Sequence, residues 1–222
     1  MLCPGGRTRC TSAIVRASGT PRCPPRTRRS AGHGSGESPA PSRHRPHTRL
    51  GRREVVPMPR HQLIVNPAAG AGNGGRSIPA IERLMKAAGL AYDLVRTERR
   101  GHAIELARQA ALSGADVVVA CGGDGTSNEV INGLKQAEAQ GRRAALGVLC
   151  VGRGNDFAFA VGIPADLPAG VAALAADGRR TIDLGRVRGG VFPDGRYFAS
   201  CVGIGFDAVT TIQVSKMPRW GG

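Results

Sequence analysis

Glycine, one carboxylate and two hydroxyls crowd the stretch Gly122-Gly123-Asp124-Gly125-Thr126-Ser127, which follows the apolar run Val117–Cys121 directly and leads into Asn128-Glu129. Bare backbone of this kind brings N–H groups close to a ligand with no side chain in the way. With a helix starting at Thr126, those N–H groups form a concavity suited to an anion, above all a phosphate. Asp124 repels phosphate unless a divalent cation stands between them. Magnesium bridges carboxylates and phosphate oxygens in this way, often through water. The chemistry these residues suit is binding of a magnesium nucleotide. The competing reading is a structural glycine turn in which Asp124 caps a helix.

Two further stretches repeat the arrangement. Asn66-Pro67-Ala68-Ala69-Gly70 follows the apolar run His61–Val65, and Gly152-Arg153-Gly154-Asn155-Asp156 follows Ala145–Val151. Three strand ends, each with small residues and a polar group, can converge on one ligand. The P-loop pattern G-x-x-x-x-G-K-[ST] is absent. The dinucleotide fingerprint is incomplete as well, because GGDGTS lacks the third glycine of G-x-G-x-x-G.

These loops need elements to carry them. Apolar runs at 61–66, 91–96, 116–121 and 145–151 read as strands, too continuously apolar to show one face to water. Ile78, Ile81, Leu84 and Met85 recur at helical spacing, with Gly89 as a stop. Ile104, Leu106, Ala107, Ala110 and Ala111 mark a second helix, and residues 126–139 a third. The stretch NPAAGAGNGG, residues 66–75, reads as a long turn. Strands alternating with helices predict an α/β fold, layered helix–sheet–helix around a mostly parallel sheet. In such sheets ligands sit at the carboxyl ends of the strands. After Gly178 the texture changes. Residues 181–188 read as a strand, Gly189-Gly190 and Pro193-Asp194-Gly195 as turns, and 196–204 as the return strand. A further helical segment begins before Gly222.

Charge is uneven along the 222 residues. The net charge is +15, and residues 1–57 supply +10 of it, from 12 arginines and two acids. That segment also holds eight prolines and no periodic apolar run, so it is expected to lack a fold of its own. A nucleic-acid arm would interleave aromatic residues for stacking, and none are present, so no nucleic acid partner is expected. Proline and glycine break the amphipathic helix of a transit peptide. The favoured reading is upstream sequence translated from a misplaced start, with the domain beginning at Met58. No apolar core of a secretory signal follows Met1, and no run approaches the ~18 apolar residues of a membrane span. The six cysteines show no C-x-x-C spacing, which argues against zinc. Cys121, Cys150 and Cys201 lie in apolar runs and read as buried thiols in a reducing, cytoplasmic compartment.

Taken together, NPAAGAG, TERRGHAIELA, GGDGTSNEVING, LGVLCVGRGNDFA, IDLG and ASCVGIGFDA stand in the order of the diacylglycerol-kinase catalytic-domain family. The chain resembles that family over roughly residues 60–215. The resemblance implies an α/β ATP-binding domain, here 58–178, and a C-terminal β-sandwich domain begun at 179–222. It implies transfer of the γ-phosphoryl of ATP to a lipid hydroxyl at a membrane surface, and it leaves a homodimer open. Asn66 to Gly70 and Thr97 are then expected to contact ATP, with Gly154 and Asn155. Gly122 through Asn128 would cradle the phosphates. Asp124, Asp156 and Asp183 would share a water-mediated Mg2+ network. Two departures stand out. Arg153 replaces a threonine usual before the Gly-Asn-Asp, and it can pair with phosphate or stack on adenine. Phe159 stands where an arginine is frequent. The family's general base comes from a late loop of the second domain, so this chain is expected to lack it and to be a fragment.

Overall fold

The computed structural model describes residues 9–10 and 59–216. Four strands form one parallel sheet: β2 (His61–Val65), β3 (Tyr92–Arg96), β4 (Val117–Gly122) and β5 (Ala145–Cys150), in the spatial order β3-β2-β4-β5. All six residues of β4 are buried. That is why its sequence shows no alternation: each face meets a helix layer.

The two faces read out with period two. Ile64, Val118, Ala120, Leu146 and Val148 pack under α3 (His102–Leu112), α4 (Asp124–Ala139) and α5 (Asp156–Ala160). Leu63, Val65, Val117, Val119, Cys121 and Leu149 pack under α2 (Ile78–Ala87) and α6 (Leu167–Ala175). Small residues set the approach between helices. A methyl group at Gly133 of α4 would lie 2.3 Å from the Ile104 carbonyl oxygen of α3, so those two helices meet backbone to side-chain-free backbone.

The expected helix–sheet–helix layering is present, with differences in detail. Residues 66–75, read as a turn, include most of α1 (Ala69–Arg76). It enters through left-handed Gly70, Ala71 and Gly72, and its glycines give it little intrinsic helicity. Tertiary contacts hold it: Asn73 Nδ2 donates to the Val151 carbonyl at 3.3 Å. The strand expected at 181–188 is broken into β6 (Ile182–Asp183) and β7 (Gly185–Gly189). β7 pairs antiparallel with β8 (Phe192–Phe198) through the turn Gly190-Val191. Pro193-Asp194-Gly195 is not a turn. It lies inside β8 where the register shifts, because proline has no N–H for the ladder and a bulge tolerates that. β8 also ends at Phe198 rather than continuing to Ile204, since β7 begins opposite it at Gly185 and offers no further partner. Helix α7 (Phe206–Lys216) follows. Of segment 1–57, only Arg9–Cys10 lies among the described residues. There it forms a two-residue strand, β1, antiparallel to β6, and the rest of that expectation lies outside the described residues.

Candidate active site

The chain runs from β2 outward to β3, then returns past β2 to place β4 on the other side. The strand order thus reverses between β2 and β4, and a crevice must open above their carboxyl ends, where successive connections leave in opposite directions. A cavity of about 660 Å³ occupies that position. It is lined by Asn66 to Gly70 after β2, Thr97 to Arg100 after β3, Gly123, Gly125 and Thr126 after β4, and Gly152 after β5, with Ala103 and Glu129.

Its floor is the start of α4. The first hydrogen bond within that helix runs from Ser127 N to the Gly123 carbonyl at 3.1 Å. The N–H groups of Asp124, Gly125 and Thr126 therefore precede any intrahelical partner and carry the positive end of the helix dipole. A methyl group at Gly125 would meet nothing within 4 Å, so the space above this turn is open. A methyl group at Gly152 would lie 2.5 Å from Gly123 Cα, so the β4 and β5 loops touch here because Gly152 has no side chain. Asn66 ties the β2 loop to this floor. Its Oδ1 accepts from Ala68 N at 3.1 Å and its Nδ2 donates to Thr126 Oγ1 at 3.1 Å. Asn66 and Thr126 thus hold each other while lining the cavity.

Helix α4 also supplies caps to both neighbours. Helix α3 starts at Gly101 and α5 at Asn155, and neither residue caps its own helix with a side chain. Glu129 accepts from Gly101 N at 2.9 Å and from Ala103 N at 3.2 Å. Asp124 Oδ1 accepts from Phe157 N at 2.9 Å. The helix-cap alternative for Asp124 is therefore real, but the helix capped is α5, not its own. Its second oxygen faces the β5 loop: a methyl at Gly154 would lie 3.2 Å from Asp124 Oδ2 and 3.7 Å from Asp156 Oδ1. The two carboxylates flank one glycine. The Cys150 thiol sits close by, and burial, then the negative charge of Asp124, push its pKa up from the ordinary thiol value.

A family model described as the diacylglycerol kinase catalytic domain matches residues 60–187, more than half of the chain. The chain belongs to the diacylglycerol kinase catalytic domain family. The diacylglycerol kinase of Bacillus subtilis (strain 168) is 36% identical over 149 residues, covering 67% of this chain and 46% of that protein. That of Staphylococcus haemolyticus (strain JCSC1435) is 33% identical over 137 residues, covering 62% and 39%. The crystal structure of a diacylglycerol kinase from Bacillus anthracis str. Sterne superposes with a TM-score of 0.51 at 28% identity, over 58% of this chain and 44% of that one. This chain spans less than half the length of these relatives.

In this family member the site residues expected from sequence divide into groups. Asn66, Pro67, Ala68, Ala69, Gly70, Thr97, Gly123, Gly125 and Thr126 line the crevice together. Asp124 and Asp156 flank Gly154 outside the crevice lining, and Asp124 borders a separate small cavity with Asn128, Ile131, Phe157, Ala199 and Ser200. Gly122 and Ser127 are buried beneath it, Gly122 because Thr126 Oγ1 would lie 2.3 Å from a methyl there. Asn155 turns inward, with Nδ2 donating to the Gly152 carbonyl at 3.2 Å. Asn128 is engaged elsewhere: its Nδ2 donates to the Tyr197 carbonyl at 2.9 Å and its Oδ1 accepts from Arg196. Asp183 lies exposed in β6. Among the described residues no three carboxylate, imidazole or thiol groups converge as a direct metal site requires. Residues the sequence reading did not assign to the crevice are Glu98, Arg99, Arg100, Ala103, Glu129 and Gly152. Most of these lie in or beside TERRGHA. The order β3-β2-β4, which a sequence does not display, is what carries that loop to the crevice.

Proposed function

We propose that this chain forms the nucleotide-binding part of an ATP-dependent lipid kinase of diacylglycerol kinase type, acting on a lipid hydroxyl at a membrane surface. One observation carries this reading. The open turn of unpaired N–H groups at the start of α4 stands beside the paired carboxylates Asp124 and Asp156, at the strand-order reversal of a parallel sheet. Backbone donors suit phosphate oxygens, and carboxylates suit the hard cation that accompanies them.

The donor set fits magnesium, which takes one or two carboxylates with phosphate oxygens and keeps several waters. Asp124 and Asp156 would hold it, and Asp183 would join only through water. When bound, magnesium neutralises charge on the phosphates. The chain's own residues do the rest. The N–H groups of Gly125 and Thr126 bind phosphate oxygens. Glu129 fixes the loop that lines the nucleoside side. The Gly123–Gly152 contact keeps side chains out of the phosphate path. Glu129 is engaged by two backbone N–H groups, and the base that takes the lipid hydroxyl proton is proposed to come from beyond residues 59–216. Exposed Ile204, Phe206, Val209 and Ile212 support contact with an apolar partner after β8, in the second domain proposed to begin at 179.

The test uses protein purified from its source, γ-labelled ATP and vesicles containing diacylglycerol. Label is expected in the lipid phase. Asp124→Asn is expected to lower transfer by about a hundredfold or more, the size seen when a group acting on transition-state charge is lost. Label confined to the aqueous phase, or full activity in Asp124→Asn, would sink the proposal.

A further inference from the structure

Arg153 is where this chain departs from the family's threonine, and the sequence leaves two roles for its guanidinium, on phosphate or on the base. The sheet order separates those roles in space. The loops that line the crevice leave β3, β2, β4 and β5 side by side. Three strand spacings, roughly 14 Å, therefore divide the β3 loop from the β5 loop. The carboxylates Asp124 and Asp156 stand at the β5 end, around Gly154. Thr97 to Arg100 stand at the β3 end. Arg153 precedes Gly154 directly and is pinned to the β5 end by the Gly123–Gly152 contact.

Its surroundings are as specific. Arg153 lines a chamber of about 290 Å³ with Ala68, Gly70 and Ala71, and Ala68 and Gly70 are also walls of the main crevice. Ala68 is right-handed while Gly70 and Ala71 are left-handed, so the backbone changes hand along the chamber wall. Arg153 is exposed and makes no ion pair with a carboxylate among the described residues. No aromatic side chain lines the chamber.

We infer that Arg153 reads the polyphosphate end of the nucleotide as a fixed cation, and does not stack on the base. This inference rests on the nucleotide reading above. A guanidinium beside the phosphates supplies charge that threonine does not, so nucleotide binding depends less on magnesium than it would with threonine at that position. The planar fork also engages two phosphate oxygens at once, which an ammonium group does not.

Titration calorimetry on the whole chain tests this, with ATP in EDTA, inorganic tripolyphosphate, and adenosine as probes. Arg153→Thr is expected to weaken magnesium-free ATP and tripolyphosphate about tenfold, the scale of one charge-assisted hydrogen bond, and adenosine less than about twofold. Arg153→Lys is expected to fall between, since it keeps charge without the fork. Unchanged ATP binding in Arg153→Thr would overturn the inference. So would an equal loss for adenosine and ATP, which would place Arg153 on the base. Failure of the unaltered chain to bind ATP with magnesium present would instead overturn the nucleotide reading itself.

Discussion

Asp124 and Glu129 sit five residues apart on α4, and each carboxylate ends a neighbouring helix that cannot end itself. Gly101 has no side chain, and left-handed Asn155 spends its amide on Gly152. A charged acceptor from α4 takes over in both places, where it also meets the positive end of a helix dipole. Glu129 is thus a positioning residue: its carboxylate holds the loop that carries Thr97 to Arg100. Glu129→Ala leaves the Gly101 and Ala103 N–H groups without acceptors, an expected cost of about 1–3 kcal/mol. In steady-state assays the KM for ATP is expected to rise more than kcat falls, and Glu129→Gln is expected to restore part of the loss. A change confined to kcat, with no recovery in the glutamine variant, would contradict this role. Asp124 was legible in sequence because glycine neighbours isolate it. Its helix-capping duty was not, because the N–H that it accepts belongs to Phe157, 33 residues away.

At the scale of elements, α4 is the hub. Alanines of α3 and Gly133 of α4 let those helices press together, and the apolar spacing of both was readable. The link between α4 and the β7–β8 hairpin was not. Asn132 offers Tyr197 a strand-like edge: Oδ1 accepts from Tyr197 N at 2.9 Å and Nδ2 donates to Tyr197 O at 2.9 Å. Asn128 reinforces it from one turn earlier, and the Tyr197 ring lies against Lys135 and Arg186 at 5.3 and 5.1 Å. Asn128 was read from its motif as a phosphate ligand, and the structure engages its amide with the hairpin. Asn132→Leu removes the acceptor for Tyr197 N, at an expected cost of about 1–3 kcal/mol. Amide hydrogen exchange checks this: residues 192–198 should exchange faster while β4 keeps its protection. Equal protection in the hairpin would show that the asparagine pair does not hold it.

For the molecule as a whole, a sheet covered on both sides buries Cys121 completely and Cys150 in part, while Cys201, expected to be buried, lies beyond β8 and is exposed. Burial pushes the Cys121 thiol far above its ordinary range, and burial with the Asp124 charge raises Cys150. An unfolded thiol loses its proton near pH 8.5, at about its unperturbed value. Above that pH the folded chain keeps protons that the unfolded chain has released, so this contribution is complete below about pH 8.5 and is lost as pH rises. The urea midpoint is therefore expected to fall between pH 8 and 10, and to fall less steeply in Cys121→Ala. The same slope in both proteins would assign the pH dependence to other groups.

The sequence alone determined the layers. Unbroken apolar runs demand a sheet covered on two faces, because that follows from local composition. The broken strand at 181–188, the bulge at Pro193–Gly195 and the glycine-rich start of α1 escaped a local reading, since partner strands and distant carbonyls decide them. Tertiary structure alone decided which residues share the crevice. Strand order sets which loops become neighbours, and that order is a property of long-range pairing. It brought TERRG to the site and put Arg153 at the carboxylate end.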